Sequence, residues 1–80
     1  MENAVIAERL EAFAILLELA GANGYSVRAY RRAAELVRGT SAPVAELVAA
    51  GRARELRGIG SGIEKKLREL VETGRIDELD

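Results

Sequence analysis

Apolar and polar residues recur with a helical period along the whole chain. Over residues 3–20, Val5, Ile6, Leu10, Phe13, Leu16 and Leu17 gather mostly on one side at about 100° per residue, with Glu8, Glu11 and Glu18 on the other. Ile15 and Leu19 carry apolar surface onto a second side, which predicts packing against two neighbours or a partner docked there. Gly21, Asn23 and Gly24 are expected to end this helix, and Ser26 to cap a second over 27–38. In that segment Val27, Tyr30, Ala33, Ala34 and Val37 share an apolar arc. Arg28, Arg31, Arg32 and Arg38 lie opposite with Glu35. Gly39-Thr40-Ser41 breaks the chain, and Pro43 suits the first turn of a third helix reaching about Ala50. Gly51 caps it, and Arg52 to Leu56 can form only a turn or two. A last long helix is expected from Ser61 to Thr73-Gly74, burying Ile63, Leu67, Leu70 and Val71. No segment alternates as a strand would. The predicted fold is all-α: a compact bundle of four main helices plus a short helical turn.

Eighty residues make one domain, 1–80, near the lower size limit for a single apolar core. The absence of Cys and His removes disulfides and the commonest transition-metal ligands. No charge-free stretch reaches membrane-spanning length, and no basic leader opens the chain, so a cytoplasmic monomer without membrane attachment is expected. The net charge of -1 hides a strong asymmetry. Residues 1–23 carry four acids and one base, 24–68 ten bases and four acids, and 69–80 five acids and one base. A basic middle between acidic ends can focus a positive field on one face, although solvated helix surfaces would show the same count. Four arginines on one helical arc suit phosphate contact by the same reasoning, and a merely solvated face remains open.

The segment Glu46–Leu56 recurs at Glu69–Leu79, a spacing of 23 residues. In the first copy Leu56 leads into a glycine-rich turn; in the second the sequence stops one residue after Leu79. Either helix-capping chemistry repeats by coincidence, or the chain is a fragment cut where a further segment would begin. The second is the expectation here.

The sharpest chemistry lies in Leu56-Arg57-Gly58-Ile59-Gly60-Ser61-Gly62-Ile63. Gly58 and Gly60 permit a tight turn and let backbone approach a phosphate without a Cβ clash. The helix that follows points free N–H groups and a positive dipole end at the same place. Ser61 can cap or donate there, and Ile59 would anchor the turn in the core. Such a site holds backbone phosphate rather than bases, and so predicts binding with little sequence preference. A dinucleotide fingerprint fails because no strand precedes the glycines, and a phosphate-loop motif fails because Gly-Lys-Ser/Thr is missing. A plain interhelical turn is the alternative.

Leu56-Arg57-Gly58-Ile59-Gly60, followed by Ile63 and Leu67, resembles the helix-hairpin-helix consensus over about residues 52–73. With Tyr25-Ser26-Val27-Arg28-Ala29-Tyr30-Arg31-Arg32-Ala33-Ala34 and Val71-Glu72-Thr73-Gly74-Arg75, nearly the whole chain resembles the N-terminal, polymerase-beta-like domain of family X DNA polymerases, the bacterial branch most closely. The resemblance implies a DNA repair polymerase whose catalytic domains follow, with this domain engaging gapped or nicked DNA. The DNA-contacting set is then Gly58, Ile59, Gly60, Ser61, Gly62, Lys65, Arg28, Tyr30, Arg31 and Arg32. It also implies a monovalent cation, Na+ or K+, on the main-chain carbonyls of Arg54, Leu56 and Ile59, and otherwise no cofactor. Some relatives are 5′-deoxyribose-phosphate lyases, and the matching Schiff-base lysine is Lys66. The helical wheel sets Lys66 at the flank of the Ile63–Leu67–Leu70 stripe, while Lys65 points away. A lysine snorkelling along the core edge would sit the same way. Positions that are basic in lyase-active relatives are Ser26, Gly62 and Glu78 here, so a binding role is expected ahead of a catalytic one. A protein-interaction module using Ile15 and Leu19 is the third reading.

Overall fold

The computed structural model describes residues 1–76. It contains α1 (Asn3–Leu19), α2 (Gly24–Gly39), α3 (Val44–Ala49), a 3-10 turn (Ala53–Glu55) and α4 (Ser61–Thr73). There is no strand among the described residues. The all-α expectation holds, and the four helices and short turn appear in the expected order, with shifts at the starts of α2 and α3.

Helices α1 and α2 form an antiparallel hairpin because Gly21 reverses the chain, with Ala22 N–H bonded to Leu17 O at 2.9 Å and Gly21 N–H to Glu18 O at 3.1 Å. The second helix begins earlier than expected. Asn23, not Ser26, is its N-cap: the Asn23 side chain accepts from Ser26 N–H at 2.9 Å. Gly24 therefore starts a helix rather than ending one. A glycine at the first helical position costs little when the residue before it supplies the cap.

The core joins Ile6, Leu10 and Phe13 of α1 and Ala33, Ala34 and Val37 of α2 to Val44 and Val48 of α3, then Ile59, Ile63, Leu67 and Leu70 around α4. Leu16, expected on the buried stripe of the first helix, is 41% exposed, whereas Ala7 and Ala14 are fully buried. The buried face of α1 runs through these small residues, and Leu16 lies off it. Pro43 is the residue before α3 rather than within its first turn.

The repeat is realised structurally. Gly51 (φ 73°) and Gly74 (φ 81°) end α3 and α4 in the left-handed conformation, and two residues later Ala53 and Ile76 turn inward, each buried. Residues 77–79 of the second copy, and Glu78 among the expected site positions, lie outside the described residues.

Asn3 ties both ends of the α2–α3 link to the start of α1. Its Nδ2 donates to the carbonyls of Thr40 (3.2 Å) and Ala42 (2.8 Å), and its Oδ1 accepts from Val44 N–H (3.1 Å). The side chain thus caps α3 from a distance in sequence, satisfying an amide that Pro43 cannot.

Candidate functional site

The hairpin between the 3-10 turn and α4 is held by one buried side chain and one unusual dihedral. Ile59 is 5% exposed and inserts into the core, as expected. Gly58 adopts φ 89°, a region other residues rarely enter, and a Cβ there would stand 3.3 Å from Leu36 Cδ1 of α2. Gly60 differs: its backbone is extended at φ -87° and ψ 175°, and a Cβ would meet nothing within 4 Å. The residue is the N-cap of α4 but carries no capping side chain, and Ser61 makes no side-chain cap either. Glu64 N–H bonds to Gly60 O at 2.9 Å. Among the described residues, no acceptor meets the N–H groups of Ser61, Gly62 and Ile63. Three open amides at a helix N-terminus form a local positive pole suited to an anion.

Two of these residues, Gly62 and Ile63, line a groove. One wall is Gly58, Gly60, Gly62 and Ile63; the other is α2, through Tyr25, Ser26, Ala29, Tyr30 and Arg32. Among the described residues no carboxylate lines it, and Arg32 is its only charged residue. Tyr30 is half-buried and packs edge-on against Phe13, ring centroids 4.8 Å apart at 80°, so it serves the core and the groove together. Tyr25 was not among the expected contacts. It is 78% exposed at the groove rim, and its signal was an aromatic three residues before the first arginine of α2.

The structure divides the arginine arc. Arg32 lies on the groove side of α2. Arg31 and Arg38 lie on the opposite flank, where Arg31 pairs with Glu18 of α1 at 3.2 Å and Arg38 with Glu11. Arg28 folds back over the first turn of α2, near enough that a Cβ on Gly24 would touch its guanidinium at 3.0 Å. Lys65 is exposed on α4. Lys66 is half-buried, its ammonium 5.7 Å from the centroid of the Phe13 ring. Two of the three positions where basic residues were expected of a lyase, Ser26 and Gly62, line opposite walls of the groove without charge.

Below the hairpin, Arg52 donates two hydrogen bonds to Glu55, at 2.7 and 2.9 Å, across the 3-10 turn. That hydrogen bond holds the Glu55 carboxyl below its ordinary range and the Arg52 guanidinium above its own. Among the described residues the Leu56 carbonyl accepts only a long bond from Ile59 N–H, 3.4 Å, which uses one of its two lone pairs.

A family model described as helix-hairpin-helix domain matches residues 1–76. No curated protein and no solved structure matches the chain.

Proposed function

The chain belongs to the helix-hairpin-helix domain family, whose members commonly bind DNA without regard to sequence, and on that premise we propose that it grips backbone phosphates of gapped or nicked DNA as the N-terminal domain of a repair polymerase. One observation carries the reading. The start of α4, where the amides of Ser61, Gly62 and Ile63 are open, borders through Gly62 and Ile63 a groove that has Arg32 on its far wall and, among the described residues, no acid along it. A phosphate entering there would meet the helix dipole and a guanidinium, and the glycines keep Cβ atoms out of its path. None of these contacts reads a base edge, so affinity should follow charge rather than sequence. The carbonyls of Arg54, Leu56 and Ile59 are neutral oxygen donors, the class that suits Na+ or K+, and an ion held there would add positive charge between hairpin and phosphate.

A lyase has less support. Lys66 rests over Phe13 rather than lining the groove, and Ser26 and Gly62 supply no charge for a 5′-phosphate. Borohydride trapping on a 5′-deoxyribose-phosphate substrate is expected to give no adduct.

Fluorescence anisotropy with gapped, nicked and blunt duplexes of unrelated sequence tests the binding role. Contact with about three phosphates would give a log K against log salt slope of about -3. Affinity should not change when the sequence is scrambled. Gly60→Val, which the backbone accepts, should weaken binding by roughly tenfold, on the order of one lost charge-assisted phosphate contact. Equal affinity of this folded variant and the parent protein would overturn the proposal.

A further inference from the structure

The groove between α2 and the hairpin encloses about 410 Å3. That lies within the roughly 300–1,000 Å3 of small-molecule sites, and one phosphate group does not fill it. Its lining is mixed: three glycines bring no side chains, Ala29 and Ile63 are apolar, and two tyrosines supply rings. Tyr30 is committed to the core through Phe13. Tyr25 is 78% exposed, and among the described residues its side chain has no hydrogen-bond or ring partner. A lone exposed aromatic is ordinary, but the position of this one is informative. Tyr25, Ala29 and Arg32 follow one edge of α2 at spacings of four and three residues. Ring and guanidinium therefore stand two turns apart, about 10 Å along the axis, with a small residue between them.

The charge of the groove selects among phosphates. Arg32 is its only charged residue among those described, and it enters no ion pair with them. Arg28 lies back along the first turn of α2 and Lys66 rests over Phe13, so neither lines the groove. A backbone diester carries one negative charge, which a single guanidinium balances. A terminal monoester carries about -1.5 to -2 near neutral pH and would leave charge uncompensated there. We propose that the groove holds an unpaired nucleotide inside a continuous strand, its phosphodiester on Arg32 and its base stacked on Tyr25, and gives no preference to a 5′-phosphorylated end. This rests on the phosphate-gripping role of the hairpin and names the part of gapped DNA that the groove takes. Bases in a duplex hide their faces in the stack, whereas a gap offers them. Stacking tolerates every base, so the contact adds preference for structure and none for sequence.

Fluorescence anisotropy of the full chain tests this with labelled duplexes that are blunt, nicked with a 5′-phosphate, nicked with a 5′-hydroxyl, gapped, or gapped with abasic residues in the unpaired stretch. The gapped duplex should bind roughly tenfold more tightly than the blunt one, and abasic residues should remove that advantage. The two nicked duplexes should differ by less than about twofold. Tyr25→Ala, at an exposed position, should bring the gapped-to-blunt ratio near one, and Tyr25→Phe, which keeps the ring, should preserve it. Equal binding of gapped and blunt duplexes, or a gap advantage that survives abasic residues or Tyr25→Ala, would overturn the proposal. So would a 5′-phosphate that tightens binding by about fivefold or more. If Gly60→Val weakens every duplex while Tyr25→Ala changes no ratio, the phosphate grip stands and the nucleotide site falls. If no duplex binds at low salt, both fall.

Discussion

Gly58 and Gly60 stand one residue apart and answer to different constraints. Gly58 holds a left-handed backbone against Leu36, so Gly58→Ala should cost about 1–2 kcal/mol in urea denaturation, through backbone conformation and crowding together. Gly60 is extended and open, so Gly60→Val meets no clash and should cost no more than about 1 kcal/mol, the loss of a favoured N-cap residue, and show its larger effect in DNA affinity. Comparing the two separates folding from function at the hairpin. Asn3 is the other residue whose role exceeds its size. Asn3→Ala removes three hydrogen bonds and strands the Val44 amide, with an expected loss of roughly 2 kcal/mol measured the same way.

Among elements, the 3-10 turn is the shortest and the one that delivers the hairpin. Its single bidentate ion pair, Arg52 to Glu55, is fully exposed and contributes mainly geometry. Because the folded-state pKa of Glu55 is depressed, whatever support the pair lends the turn is present above the ordinary carboxylate range. It is lost as pH falls through the lowered value. An NMR titration should place the Glu55 midpoint below the ordinary value of 4.5, and Arg52→Ala should return it toward that value. The helix ends share one chemistry: α1, α3 and α4 each stop where a glycine turns left-handed, which is why the boundaries were visible as glycines. The start of α2 was not visible in that way, since Gly24 signals a stop unless Asn23 is known to cap it.

At the scale of the whole molecule, the basic middle of the chain does not act as a single patch. Packing of α1 on α2 brings Arg31 and Arg38 against carboxylates and leaves Arg32 facing the groove. Arg32→Ala should therefore make the salt slope of DNA binding shallower by about 1, whereas Arg31→Ala should change affinity less than about twofold, the difference between a phosphate contact and a surface ion pair. Anisotropy titrations at several salt concentrations would check both. Among the described residues no helix is long and apolar enough to cross a membrane.

The periodicity of apolar residues was sufficient for the helix count, the apolar arc of α2 and the stripe of α4, because each is a local consequence of 3.6 residues per turn, and the burial of Ile59 followed from its place between two turn glycines. The glycine pattern likewise placed the hairpin and the ends of α3 and α4. Tertiary structure decided what depends on distance in sequence: which arginines meet carboxylates of α1, that Asn3 caps a helix more than forty residues away when counted to Val44, and that Leu16 faces outward. It also brought Tyr25, Ser26 and Arg32 opposite the glycines, making a groove from two segments whose spacing in sequence shows no contact. Local chemistry specifies each helix and its ends; only packing decides which of their exposed faces meet.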